Sequence, residues 1–146
     1  MRKMNKREVE EILKQLEYYG INYKELDFLK DFDFYINKEG KIFIVNKNNI
    51  NISGVNRLGL YILKKEKNGI RFSIEGAQLF SKYIKDKILE IEPEKIFFIN
   101  KKVEKINLNN GFYVMKYKND FLGSCYVKNG EVKDFIPKDR KIMSSQ

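Results

Sequence analysis

The stretch from Gly111 to Lys141, GFYVMKYKNDFLGSCYVKNGEVKDFIPKDRK, reads as two alternating strands, a tight hairpin, a further strand and a basic tail. Side chains alternate along a strand with period two. Phe112, Val114 and Lys116 therefore share one face of the first strand, and Tyr113, Met115 and Tyr117 share the other. Both faces carry bulk, which predicts a strand that is central in its sheet or wrapped in a barrel. Asn129-Gly130, between Tyr126-Val127-Lys128 and Val132, is the dipeptide that supplies the positive backbone angles of a two-residue primed turn, and it predicts a hairpin.

Upstream of this stretch the punctuation changes. Asn5 followed by Glu8 forms a capping-box pattern, and Val9, Ile12, Leu13 and Leu16 recur at helical spacing until Gly20. The opposite face carries Lys6, Glu10, Lys14 and Glu17, with Glu10 and Lys14 at four-residue spacing, as on a solvated surface. A shorter helix is expected over Tyr23–Leu29. Phe34-Tyr35-Ile36 and Ile42-Phe43-Ile44-Val45 read as strands around Lys38-Glu39-Gly40. Leu58–Leu63 and Ile70–Phe72 form a further pair turned by Lys67-Asn68-Gly69. Ser73 is placed to cap a helix over Ile74–Lys85 that buries Ala77, Phe80 and Ile84. Ile88-Leu89-Glu90-Ile91 and Ile96-Phe97-Phe98-Ile99 read as strands joined through Pro93. The shift near Asp86, from mixed elements to short strands, places a boundary between a unit at 1–85 and a second at 86–146.

Composition narrows the chemistry. The chain has 146 residues, enough for one ordinary domain or two small ones, and its 42% hydrophobic content supports a core. Lysine and arginine number 29 against 20 aspartates and glutamates, a formal net charge of +9. That balance favours a polyanion such as RNA or an anionic membrane surface, and it equally suits a lysine-coated surface of the kind found in heat-adapted proteins. With no histidine, the chain holds no serine–histidine or cysteine–histidine nucleophile pair and no histidine-bearing metal site. A single cysteine, Cys125, makes neither an internal disulfide nor a zinc cluster, and inside an alternating strand it reads as a small core residue. Asp31 with Asp33 and Glu90 with Glu92 fall at one-face spacing in extended chain. Nothing in the sequence separates their proton affinities, so they read as solvated acids. Gly54, Gly59 and Gly69 are too scattered to cradle a phosphate. Asn51-Ile52-Ser53 fits the glycosylation triplet, but no apolar run follows Met1-Arg2-Lys3 to act as a signal or membrane span. A cytoplasmic protein with no membrane association is expected.

The C-terminal segment resembles the PUA domain, a small RNA-binding pseudo-barrel, of the subtype fused to Sun-family RNA 5-methylcytosine methyltransferases. The residues that carry the resemblance are the aromatic strand opened by Gly111, the Leu122-Gly123 pair, the Asn129-Gly130 turn and Pro137-Lys138-x-Arg140. The upstream part resembles the Nip-seven family of ribosome-assembly factors, which places an alpha/beta domain before its PUA domain. That match runs from Lys41-Ile42-Phe43-Ile44-Val45 through Asn51-Ile52-Ser53-Gly54 and Arg71-Phe72-Ser73-Ile74 to Pro93. The family's glycine after the Ile96–Ile99 segment is Asn100 here, a residue that tolerates left-handed backbone better than most. The resemblance implies an α+β chain, with an alpha/beta pre-PUA domain followed by a small PUA-like β-barrel. It implies an RNA-binding role in ribosome biogenesis or rRNA modification, with rRNA or tRNA and ribosome-assembly or RNA-modification proteins as partners.

An RNA surface requires cations for phosphates and exposed aromatics for bases. Lys128, Lys133, Lys138, Arg140 and Lys141 are the C-terminal candidates, with Arg140 able to grip a phosphate bidentately. Lys101, Lys102 and Lys105 precede the long strand, where the family pattern approaches RNA. Tyr113 and Tyr117 are candidate stacking residues, although aromatics in a small barrel more often fill its core. No catalytic residue, metal site or cofactor is expected. Two alternatives stand beside the adaptor reading: a detached RNA-targeting subunit of a separately encoded RNA methyltransferase, and a protein-interaction module that is merely soluble because it is basic.

Overall fold

The capping box at the start of the chain forms as the sequence specifies. In the computed structural model, which describes residues 1–48, 59–97 and 105–141, the Asn5 side chain accepts the Glu8 N–H, and the Glu8 carboxylate accepts the Asn5 N–H. This sets helix α1 (Lys6–Gln15) immediately after the short strand β1 (Arg2–Lys3). The helix tightens into a 3₁₀ turn over Leu16–Tyr19 and stops at Gly20, burying Ile12, Leu16 and Tyr19. The helix expected over Tyr23–Leu29 is two 3₁₀ turns, Tyr23–Glu25 and Asp27–Asp31. Asn22 accepts the Lys24 N–H and starts the first turn, and Leu26, at φ −94° and ψ 45°, interrupts any continuous helix.

Four further strands complete an antiparallel sheet in sequence order behind β1: β2 (Phe32–Ile36), β3 (Lys41–Asn46), β4 (Leu60–Glu66) and β5 (Gly69–Phe72). Ser73 caps the next helix, accepting the Gly76 N–H and donating to the Tyr61 carbonyl. This helix, α2 (Ile74–Leu79), is shorter than the predicted Ile74–Lys85. Turns carry the chain onward, and the Tyr19 carbonyl accepts both the Lys85 and Asp86 N–H groups. Ala77, Phe80 and Ile84 are buried as their spacing requires. Gly76 makes the helix fit. A Cβ there would stand 1.8 Å from the Ile62 carbonyl oxygen, so α2 lies flush on β4.

The second sheet has four strands in the order β6 (Ile88–Glu90), β7 (Gly111–Tyr117), β8 (Asp120–Lys128) and β9 (Glu131–Asp134), with β6 parallel to β7 and the rest antiparallel. β7 is central and covered on both faces, as its two bulky faces predict. Phe112 and Val114 enter one core with Leu16, Tyr19, Phe72 and Phe80, whereas Tyr113 and Met115 enter another with Cys125, Val127, Ile96 and Ile136. Asn129 and Gly130 both take positive φ, 52° and 81°, in the β8–β9 turn. Gly123, at φ 108°, sits where the β7–β8 register skips Leu122. The bulge changes the phase of β8. Phe121 therefore joins the first core while Cys125 and Val127 face the second.

The architecture is α+β. Among the described residues the second sheet is open rather than closed into the expected barrel, because β6 has only three residues and β9 only four, and the two remain at opposite edges. The strand expected over Ile96–Ile99 is corrected for its described part: Glu94–Phe97 is a helical turn, opened by the Pro93 carbonyl accepting the Ile96 N–H. An apolar run this short has no periodicity of its own, and proline at the head of a turn favours helix. Residues 98–99, Asn51–Gly54 and Leu58 lie outside the described residues. The expected boundary at 85/86 falls between α2 and β6, and side chains from both sides of it share the first core. The Tyr18 hydroxyl donates to the Phe112 carbonyl at 2.8 Å, and the Phe72 N–H donates to Ser124 Oγ at 3.0 Å, tying the two sheets together.

Candidate nucleic-acid interface

The β8–β9 register builds the first half of the site. Phe112 pairs with Tyr126, and Tyr126 with Lys133, so the three stand in one row across the sheet. Lys128 pairs with Glu131 in the next row on the same face. The Phe112 and Tyr126 rings meet edge to face, 4.9 Å between centroids, and Phe135 extends the aromatic floor 6.1 Å from Phe112. The β4–β5 turn, carrying Lys67 and Asn68, forms the opposite wall. The groove between them has a volume of about 490 Å³. A second hollow of about 420 Å³ continues past Asn68 and Phe112 to Asn110, Tyr18 and Gln15. Three lysines, Lys67, Lys128 and Lys133, and two acids, Glu66 and Glu131, line the first groove. Among the described residues none of the three lysines is in an ion pair, whereas Glu66 is shared by Lys64 and Arg71. Three lysines against one acid, Glu131, likewise without an ion pair among the described residues, leave the free charge on the groove net cationic.

The expected RNA-contacting residues divide into groups. Lys128 and Lys133 lie on the groove. Lys105 is exposed beside the tip of the β8–β9 hairpin, where the Ile106 N–H donates to the Gly130 carbonyl. Lys138 is exposed in a 3₁₀ turn over Lys138–Arg140. Arg140 is held by Glu75 at 2.7 Å. Lys141 is held by both Asp134 carboxylate oxygens at 2.9 and 3.0 Å, with its side chain only 17% exposed. The tail thus does not offer a row of free cations, because acids distant or non-adjacent in sequence capture its last two. Lys101 and Lys102 lie outside the described residues. Tyr113 is buried in the second core with its hydroxyl donating to the Asn109 carbonyl, so it is not a stacking platform. Tyr117 is half-buried, and the Lys118 ammonium sits 5.3 Å from its ring centre.

Two features escaped the sequence. Lys67 reads only as part of a turn, although a lysine at a hairpin tip beside an asparagine is well placed to project from the surface. Arg71 reads as one polar residue in a short strand, and it is 9% exposed in the structure. Its guanidinium carbon lies 3.9 Å from the Phe135 ring centre. Its Nε is 3.8 Å from Glu66 and, among the described residues, has no hydrogen-bond partner. Leaving such a buried charged donor unsatisfied costs roughly 1–3 kcal/mol or more. Burial raises the pKa of the neighbouring Tyr61 hydroxyl, with the Arg71 charge acting in the opposite direction.

Cys125 is fully buried, and burial pushes its thiol up to about 12, against the thiolate that nucleophilic chemistry needs. Among the described residues no group of three or more cysteine or acidic side chains is arranged to hold a metal, and no helix is long and apolar enough to cross a membrane. No protein-family model matches the chain, and no curated protein matches it significantly.

Proposed function

We propose that the protein binds RNA without chemistry of its own, as a PUA-like module acting in ribosome biogenesis or rRNA modification. The observation that carries the reading is the groove between the β4–β5 turn and the β8–β9 hairpin. Its floor is aromatic, its rim holds Lys67, Lys128 and Lys133, free of ion pairs among the described residues, and amides from Asn68, Asn110 and Gln15 continue it. Cations neutralise phosphates, the half-buried Tyr126 and Phe135 rings offer faces to bases, and side-chain amides can read the edges of unpaired bases. The cellular role and the PUA-like assignment rest on the resemblance of Gly111–Arg140 to that family.

The test is fluorescence anisotropy with unstructured and hairpin RNA probes, titrated between about 50 and about 200 mM salt. The expected result is saturable binding to RNA that weakens linearly on a log–log salt plot. Absence of binding to either probe at the low-salt end rejects the reading in favour of a protein-interaction module.

A further inference from the structure

Sharing Phe135 with the groove, a third hollow of about 280 Å³ lies between β4, β5, the start of α2 and the chain after β9. It is just under the range of pockets that enclose drug-sized ligands, about 300–1,000 Å³, so it has room for one compact group. Arg71 lines it, stacked on Phe135 and sharing Glu66 with Lys64. One carboxylate divided between two cations leaves an uncompensated positive charge within the protein. Buried polar groups are almost always satisfied, and Arg71, whose guanidinium lies over the Phe135 ring and whose buried Nε has no hydrogen-bond partner among the described residues, is a cation with donor capacity to spare for an anion. Ser124, which accepts the Phe72 N–H, keeps its hydroxyl hydrogen to donate at the cavity wall.

The rim adds Lys41 and Arg140, with Glu75 as the one acid among the lining residues. Glu75 holds Arg140 at 2.7 Å with both side chains close to half exposed, so the pair can open at little cost. Phe135 is common to this cavity and to the groove, so the two are neighbours. Resting on the RNA-binding reading above, we infer that the Arg71 cavity seats one phosphate group of the bound strand, gripped by Arg71 and closed over by Arg140 released from Glu75. Glu39 lies 3.9 Å from Lys41 and Glu66 3.8 Å from Arg71, both loose contacts beside the 2.7 Å Arg140–Glu75 pair, and the Arg71 guanidinium fork matches phosphate geometry.

The test compares the wild-type chain with Arg71→Gln, Arg140→Ala and Glu75→Gln on a short unstructured RNA carrying either a 5′-phosphate or a 5′-hydroxyl. Thermal denaturation in inorganic phosphate against acetate at matched ionic strength runs alongside. Arg71→Gln is expected to lose roughly tenfold or more in RNA affinity, the effect of a lost charge-assisted hydrogen bond, and to flatten the logarithmic salt slope by about 0.7. Phosphate is expected to raise the melting temperature of the wild type but not of Arg71→Gln. If the 5′-hydroxyl strand binds the wild type as weakly as the phosphorylated strand binds Arg71→Gln, the seated group is a terminal phosphate; if both strands bind the wild type alike, it is an internal phosphodiester. Should Arg71→Gln fail to fold, the rim variants decide: Arg140→Ala must weaken RNA binding and Glu75→Gln must strengthen it. Unchanged affinity and slope in Arg71→Gln, or in both rim variants, overturns the inference while the RNA reading stands. Equal stabilisation by acetate also overturns it. A wild type stabilised by phosphate through Arg71 that binds no RNA refutes the RNA reading and, with it, the assignment of the phosphate to a strand.

Discussion

Replacing Lys67, Lys128 and Lys133 together by alanine removes the cations that line the groove and are free of ion pairs among the described residues. Each phosphate neutralised on a single strand contributes about 0.7 to the slope of log affinity against log salt, so three contacts contribute about 2 units. The triple variant is therefore expected to flatten the slope by about 2 and to lose most of its affinity at low salt. None of the three side chains is buried or hydrogen-bonded among the described residues, and surface substitutions of this kind shift stability by about 0.5 kcal/mol or less each. The melting transition should consequently stay close to that of the wild type. The control is a variant with the same charge loss elsewhere, Lys6, Lys14 and Lys24 to alanine, all exposed on or after α1 and away from the groove lining. Anisotropy titrations at several salt concentrations measure both. An unchanged slope in the groove variant, or an equal loss in the control, refutes the reasoning, because the attraction would then follow net charge and not the groove. Changing Lys141 instead is expected to act on stability, since it already satisfies Asp134.

Three further outcomes follow from the packing. Gly76→Ala places a methyl group 1.8 Å from the Ile62 carbonyl oxygen, so α2 must lift from β4; the expected loss is about 1–3 kcal/mol or more, read by urea denaturation, and wild-type stability would show that the helix is not seated as described. Cys125, with its thiol pushed up to about 12, should resist a thiol-reactive dye at pH near 8 in the native chain and react fully in denaturant; rapid native labelling contradicts the buried strand position. The Arg2 guanidinium and the Asn5 N–H hold Glu8 down to about 2, below the ordinary carboxylate range. Its contribution is therefore present above that range and lost as pH falls through about 2. Glu8→Gln should be less stable than the wild type at neutral pH, with the gap shrinking steadily as pH falls toward about 2, and a gap that does not shrink over that range would reject the assignment.

What was legible in the sequence is what neighbouring residues decide among themselves. The capping box needs only Asn5 and Glu8, the primed turn only Asn129 and Gly130, and the two faces of β7 only the parity of Phe112 to Tyr117. Competition between local options was harder to read. Ile96 lies in an apolar run that would fit a strand, yet the Pro93 turn claims it. The extent of α2 was overestimated because burial at Ala77, Phe80 and Ile84 keeps helical spacing even where turns replace the helix.

The cations show most plainly why the site could not be read from the chain alone. A lysine is available to a polyanion only if no acid reaches it first, and that is decided in three dimensions. Among the described residues Lys128 and Lys133 remain free on a strand pair whose turn the sequence specifies, whereas Arg140 and Lys141, in the segment richest in positive charge, are neutralised by Glu75 from another element and Asp134 from the strand before. Arg71 lies at the other extreme. Its own hairpin supplies only Glu66, shared with Lys64, and the approach of Phe135 from the far end of the chain gives it a platform and a cavity. The groove and the cavity therefore depend on the docking of the two sheets over Phe112, Val114 and Phe121. A change that loosens that core should weaken phosphate attraction without removing a single charge, which separates a built surface from a merely basic one.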